Sequence, residues 1–303
     1  MTQVQVAQTY TPDSKLRQFA TSFGQGWRVF RKNKVAVFCL GLIIAIAAFC
    51  FLGPYFYHTN QNDLGALMGQ TCNQPPSAKH PLGTDHSCFD MVGRLMIGGQ
   101  ASFTVGFLAS AIAILFGCFY GVIAGYRGGR TDSIMMRFLD VLLSIPGLYL
   151  VLDLVALFGR NRTMMIAIIG LTGWYGVARL IRSESLTLRE REYVQAVRVM
   201  GGGTRRIMTK HILPNSISTI TTLATFSIGD GILALAGLGY LGLGLVTPQT
   251  DWGTMLNTSF TAILLNYWWQ IWPVVLLFLA VVMSFNYLGD ALRDALEVRL
   301  RER

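Results

Sequence analysis

Long runs without a charged side chain alternate with short basic stretches along this 303-residue chain. Residues 35–57 hold no charge over 23 positions, enough at about 1.5 Å per residue to cross roughly 30 Å of hydrocarbon as a helix. Further apolar runs cover residues 101–125, 134–158 and 163–180, the third of the four being interrupted by Pro146 and carrying Asp140 and Asp153. Residues 213–246 are apolar for longer than one span needs, which predicts an interfacial beginning followed by a fifth span. The sixth covers residues 268–289 and opens on Trp268, Trp269 and Trp272, side chains suited to the membrane interface. The pattern predicts an all-α polytopic membrane protein with about six spanning helices. It divides the chain into an N-terminal segment (1–34), a first span (35–57), a polar loop (58–99), a core of five further spans (100–289) and a charged tail (290–303).

Composition agrees. Hydrophobic residues make up 52% of the chain and charged residues 14%, against about a quarter in an ordinary soluble domain. The net charge of +9 reflects its placement in short loops, so nucleic-acid binding is not expected. The N-terminal segment holds Lys15, Arg17, Arg28, Arg31, Lys32 and Lys34 against Asp13 alone. Arg127, Arg130 and Arg137 follow the second span, and Arg189, Arg191, Arg198, Arg205, Arg206 and Lys210 follow the fourth. The loop after the first span offers only Lys79 and Arg94. By the positive-inside rule both termini and the segment 182–211 are predicted to be on the cytoplasmic side of an inner membrane. Arg160 and Arg162 then fall outside, against the rule. The first apolar run begins too late and is too long for a cleaved signal, so it is expected to remain as a helix.

Candidate chemistry is sparse. Gly237, Gly239 and Gly242 fit G-x-G-x-x-G, but they lie inside an apolar run with no preceding strand, which argues against a dinucleotide site. No phosphate-binding G-x-x-x-x-G-K-[ST], H-E-x-x-H or G-x-S-x-G sequence occurs, so this chain is expected to have no catalytic site and no cofactor of its own. Gly117, Gly121 and Gly125 recur at four-residue spacing, a ridge of small residues that lets another helix approach closely. Of five cysteines, Cys39, Cys50 and Cys118 lie in apolar runs and are expected to pack. Cys72 and Cys88 share the loop assigned outside, where a disulfide persists. A disulfide is therefore expected there, with two free loop thiols as the alternative, since spacing alone does not give the geometry.

Between the fourth and fifth spans, residues 190–200 read as a short helix with Tyr193, Val197 and Met200 on one face. Gly201, Gly202 and Gly203 stop it, and Thr204 is expected to cap a second short helix ending before Pro214. Two short helices joined by glycine predict a rigid knob that either rests on lipid or docks a cytoplasmic partner. Within the spans, an ionised carboxylate costs about 2.5–3.5 kcal/mol on insertion scales. Asp140 and Asp153 are therefore not both expected to face lipid, and Asp153 is the candidate to meet a cationic group in a cavity.

Several stretches together resemble the membrane permeases of bacterial ATP-binding-cassette importers for dipeptides, oligopeptides and nickel, specifically the C-type member of the paired subunits. They are Arg31-Lys32-Asn33-Lys34, His80-Pro81-Leu82-Gly83-Thr84-Asp85, Ala124-Gly125-Tyr126-Arg127-Gly128-Gly129, Glu192-Tyr193-Val194-Gln195-Ala196-Val197 with Gly201, and His211-Ile212-Leu213-Pro214-Asn215. Leu241-Gly242-Leu243-Gly244, Trp252-Gly253, Asn286-Tyr287-Leu288-Gly289-Asp290 and Leu292-Arg293-Asp294-Ala295-Leu296 complete the set. The resemblance implies a type I importer permease fold working by alternating access. Its partners would be a homologous second permease, one or two cytoplasmic ATP-binding subunits holding ATP and magnesium, an extracytoplasmic binding protein and membrane lipid. It also implies that residues 189–215 are the loop that couples to the ATPase, through Glu192, Tyr193, Gln195, Ala196, Gly201, Arg205, Leu213 and Pro214. Gln195 stands where the family usually has Glu, and Val197 where it usually has Ala. The implied cargo is a peptide, with a nickel chelate or another small solute as the alternative; no Met, His or Cys cluster follows one span. A secondary transporter using Asp140, Asp153, Arg179 and Asp230 is the competing class.

Overall fold

A computed structural model describes residues 30–58, 61 and 71–301, with side chains to residue 295. Most of the N-terminal segment, part of the first polar loop and the last two residues therefore lie outside the described residues. Five helices are long and apolar enough to span: α1 (Lys34–Phe56), α2 (Met91–Arg127), α5 (Arg162–Arg189), α9 (Ile217–Tyr240) and α11 (Trp268–Arg301). A sixth span arises if α3 (Gly129–Ser144) and α4 (Gly147–Phe158), bent by 77° at their junction, count as one. Pro146 sits at that break, where its ring would clash with the preceding turn of a continuous helix. Between α5 and α9 come α6 (Glu192–Val199), α7 (Thr204–Ile207), a wide π turn (Met208–Ile212) and α8 (Leu213–Asn215); α10 (Trp252–Leu264) is short and precedes α11.

α2 begins at Met91, ten residues before its apolar run, so the first polar loop is shorter than the sequence predicts. Two polar side chains made that first turn look like loop. Asp90 caps it, its Oδ1 accepting from Gly93 N at 3.0 Å, and Arg94 is buried. The fourth span likewise continues to Arg189 and the sixth to Arg301, both past the apolar run into charged sequence. No side chain caps α3; Gly128 precedes it with φ +64°, and Asp132 in its first turn accepts from Arg182 instead.

α2 packs against α5 along its length because the glycine ridge removes the side chains between them. A Cβ built at Gly117 would lie 2.6 Å from Val177 Cβ, one at Gly121 2.6 Å from Ala178 O, and one at Gly125 2.6 Å from Arg182 O. Backbones at that range are in full dispersion contact, which holds helices together in lipid in the absence of a hydrophobic gradient. α1, α10 and α11 close on the other side of α2 around Phe103, Trp252 and Phe285; Phe103 and Trp252 meet edge to face at 5.6 Å. Trp252 is fully buried and its Nε1 donates to Leu95 O at 3.1 Å.

The chain has two unlike ends. At one, the end of α1, the start of α2, residues 71–90 and the 241–251 loop form a cap. At the other, the start of α1 meets α11 through Tyr287 and Asn33, and the knob hangs from α5.

Candidate functional site

The knob is built on three buried side chains. Val194 of α6 is 1% exposed, and Ile207 and Ile212 are fully buried, all packed on Cys118, Val122, Val177, Ile181 and Leu188 of α2 and α5. Burying three such side chains stabilises the attachment by roughly 5–8 kcal/mol, so the knob moves with the α2–α5 pair. The fully buried position on α6 is Val194; of the face shared by Tyr193, Val197 and Met200, Val197 packs partly buried against the same cluster while Tyr193 and Met200 are exposed. In an eight-residue helix, periodicity leaves the inward face to whichever neighbour is apolar.

α6 ends as a Schellman motif. Gly202 N donates to Val197 O at 2.9 Å, Gly201 N donates to Arg198 O at 3.1 Å, and Gly201 takes φ +82°. Thr204 caps nothing; Gly203 occupies the cap position, and the turn runs through Pro214, which opens α8. Glu192, Tyr193, Gln195, Ala196, Gly201, Arg205, Leu213 and Pro214 all lie exposed on this knob. Gln195 Nε2 donates to Glu190 O at 3.2 Å, so the amide braces the entry to α6. Val199 is 89% and Met200 77% exposed, an apolar tip with no cover among the described residues.

α5 also grips the bent pair. Arg182 donates from both Nε and Nη2 to the two oxygens of Asp132, and Arg179 Nη2 donates to Asp140 at 2.6 Å. Tyr120 OH of α2 donates to Met135 O at 2.7 Å. Only Leu139 of α3 is buried, so these polar ties are the chief attachments of α3. Asp140 is accordingly turned to protein, whereas Asp153 lies exposed on α4 with no partner among the described residues.

At the opposite end, Asp85 anchors the cap. Its Oδ1 accepts from Ser87 N at 2.9 Å and Phe89 N at 2.8 Å, and its Oδ2 lies 3.5 Å from Arg94 Nε. Burial pushes the Asp85 carboxyl above its ordinary range, while Arg94 and the amides pull it back. Arg94 donates to Pro248 O at 3.0 Å and lies over the Phe89 ring. Gln270 Nε2 reaches Asn73 Oδ1 at 2.9 Å and Thr84 O at 3.0 Å, tying the cap to α11. Asp251, fully buried, accepts from Thr254 N, Thr254 Oγ1 and Leu245 N at 2.6–3.0 Å. The glycines of the G-x-G-x-x-G string belong to this knot: Gly239 lies against Asp251, and Gly242, φ +81°, closes α9 as a second Schellman motif. Arg160 donates to Gly242 O at 2.8 Å, which gives one of the two misplaced arginines a structural partner. Cys72 and Cys88 lie side by side within the cap, Cα atoms 4.1 Å apart. Cys39, Cys50 and Cys118 are buried.

Residues 113–302 match the family described as binding-protein-dependent transport system inner membrane component, and residues 21–76 match the N-terminal transmembrane domain of oligopeptide transport permease C. The chain belongs to this family of transport permeases. The dipeptide transport system permease protein DppC of Bacillus subtilis is 37% identical over 289 residues, 95% of this chain and 89% of that protein. The oligopeptide transport system permease protein OppC of Haemophilus influenzae is 36% identical, covering 90% of this chain and 88% of that protein. Among solved structures, an inward-facing form of the MetNI methionine ABC transporter matches with a TM-score of 0.56 at 18% identity, over 68% of this chain and 97% of that one. That likeness shows the fold. This permease is a non-catalytic, multi-pass membrane subunit, and its chemistry consists of contacts and charges. Sequence reading missed the buried Arg94, because a charge beside an apolar run reads as a boundary. It also left the role of Asp230 open, because the cavity that this residue lines is made by three helices distant in sequence.

Proposed function

We propose that this permease forms, with a homologous second permease subunit, a path for dipeptides or oligopeptides across the inner membrane. An extracytoplasmic binding protein delivers the peptide at the cap end, and one or two ATPase subunits holding ATP and magnesium engage the knob end. The observation that carries the reading is the knob, anchored by Val194, Ile207 and Ile212 while Glu192, Tyr193, Gln195, Ala196, Gly201, Arg205, Leu213 and Pro214 stay exposed. A rigid protrusion with an apolar tip suits a cleft in a soluble partner. The peptide assignment rests on relatives named for dipeptide and oligopeptide transport. The basic flanks support a cytoplasmic position for the knob and both termini. Tagged permease should co-purify ATPase subunits, and the complex in liposomes should take up a labelled tripeptide only with ATP and binding protein. ATP-independent uptake without any ATPase subunit would favour a secondary transporter instead.

ATP-driven closure of the ATPases would move the knob and α5 together, and the paired Arg182 and Asp132 would carry that motion to α3 and α4. This pair is partly buried, so losing one partner should cost more than the ~1 kcal/mol of an exposed pair and less than the 3–5 kcal/mol of a buried one. Arg182→Ala is expected to cut uptake severalfold with ATP hydrolysis maintained. The exchanged pair Asp132→Arg with Arg182→Asp should recover part of it. Equal uptake by Arg182→Ala and wild type would rule out this route. Asp153, exposed on α4, would then ride on the moving segment and face the path.

On the cap, Cys72 and Cys88 are proposed to be bridged in the mature protein. Closing a loop of this length removes roughly 3 kcal/mol of disorder from the unfolded segment, and the fixed cap would receive the binding protein with little ordering cost. Alkylation of intact, unreduced permease followed by peptide mass spectrometry is expected to leave both cysteines unmodified until reduction. Full modification beforehand would show free thiols.

A further inference from the structure

A cavity of about 130 Å³ lies between α2, α5 and α9, with Val151 of α4 also lining it. Ser110, Thr172, Ser227 and Asp230 contribute its polar groups. Ser110 Oγ donates to Ala224 O at 3.2 Å and Thr172 Oγ1 donates to Ile168 O at 2.8 Å. With those protons engaged, the two hydroxyls have only oxygen lone pairs to offer. Asp230, near the middle of α9, has no ion-pair or hydrogen-bond partner among the described residues.

The helix cannot turn this carboxylate away. A Cβ at Gly231 would lie 3.2 Å from the Gly106 Cα on α2, and one at Gly229 3.3 Å from the Phe285 Cβ on α11. Those close crossings fix the rotation of α9, and residue 230, about 100° from each neighbour, is left on the third side beside the cavity. An ionised side chain at that depth is costly unless another charge or water meets it. Asp230 is itself exposed at this cavity, and nothing among the described residues supplies the opposite charge, so water or a group from another molecule meets it there. The volume is about four times one water's share of the liquid and falls short of the ~300 Å³ of a whole small-molecule site. It accommodates one cationic head with its remaining water. Several acceptors around a carboxylate suit a group with several N–H donors.

We propose that Asp230 is a transit site for the α-ammonium group of a peptide in the translocation path, with the Ser110 and Thr172 oxygens as secondary acceptors. This rests on the peptide-importer reading above. It places a step of cargo selection in the permease as well as in the binding protein, favouring peptides with a free amino terminus over blocked ones.

The test uses the whole reconstituted complex with trialanine and N-acetyl-trialanine, comparing wild type, Asp230→Asn and Asp230→Glu. Each variant is read with the same binding protein, so comparing the ratio of the two peptides between variants cancels that protein's own preference. Asp230→Asn is expected to lower trialanine uptake per ATP hydrolysed about tenfold, the scale of one charge-assisted hydrogen bond. It should leave N-acetyl-trialanine within about twofold of wild type on the same scale, and Asp230→Glu should restore part of the difference. Equal losses on both peptides, no loss on either, or failure of Asp230→Asn to assemble would overturn the proposal; the first and last would mark Asp230 as an ion-pair partner of the second subunit. Wild type that hydrolyses ATP in response to binding protein but imports neither peptide would overturn the peptide reading itself, and this inference with it.

Discussion

Gly121→Leu is expected to destabilise the permease by about 3 kcal/mol or more, at the upper end of what overpacking a tight core costs. The reason is where the new atoms would go. A Cβ at Gly121 would stand 2.6 Å from Ala178 O, 2.9 Å from Arg182 N and 2.9 Å from Ile181 Cβ. Two of those are backbone atoms of α5, which no rotamer change can move, so α2 and α5 would have to separate along the ridge. Separation would also loosen the knob, whose buried Val194, Ile207 and Ile212 rest on the same two helices. Gly121→Ala should show a smaller loss in the same direction. Gly41→Leu and Gly176→Leu, where an added Cβ meets nothing within 4 Å, are the matched controls. Thermal unfolding of detergent-purified protein, followed by size-exclusion fluorescence, measures this. A Gly121→Leu midpoint no lower than those of the two controls would show that the ridge is not the packing element.

Gly201→Val is expected to reduce uptake by at least about tenfold while the protein remains inserted and purifiable. No neighbour crowds this position, so the effect isolates the backbone. At φ +82° a side chain costs about 1–2 kcal/mol, and a β-branched one is the worst case. The helix would relieve that strain by unwinding its C-terminal turn, displacing Val199 and Met200 at the tip of the knob. Gly201→Asn, which tolerates the left-handed region, should transport nearly as well as wild type. Gly203→Val is the internal control: it lies two residues away at φ −66° and also meets nothing within 4 Å. Uptake and ATP hydrolysis measured together separate uncoupling from loss of assembly, and Gly201→Val with wild-type uptake would remove Gly201 from the coupling element.

The two variants probe different parts of one lever. α2 and α5 are joined by backbone contact, and the knob is joined to them by an apolar core. α3 is joined mainly by the pairs of Arg182 with Asp132 and Arg179 with Asp140 and by the Tyr120 hydroxyl. Polar ties between otherwise exposed helices can be broken and remade at little cost in buried area, whereas packed cores have few intermediate arrangements. The 77° break at Pro146 lies just beyond those ties, where a change in α3 would redirect α4.

Sequence alone determined the class of the molecule, because a bilayer imposes a length and a polarity on each span that are readable residue by residue. The glycine ridge at 117, 121 and 125 and the left-handed stop at Gly201 follow from local rules and stand in the structure where the pattern put them, whereas the apolar run 134–158 appears as two helices bent by 77°. Helix ends were less legible. Met91 begins a helix and Arg189 ends one beyond the hydrophobic limits, because a charge is admitted wherever a partner from elsewhere neutralises it, as Asp85 does for Arg94. Which residue of α6 faces inward was not legible for a related reason: eight residues carry too few turns for periodicity to outvote the surface they land on. Which carboxylate lines a cavity was not readable at all. Asp140, Asp153 and Asp230 look alike along the chain and all three are exposed, and only packing distinguishes the one paired with Arg179, the one on α4 with no partner among the described residues and the one held beside a cavity by two glycines. Local sequence sets what each helix is, but the free energy of a charge depends on what other helices bring within a few ångströms of it, and that is decided only when they pack.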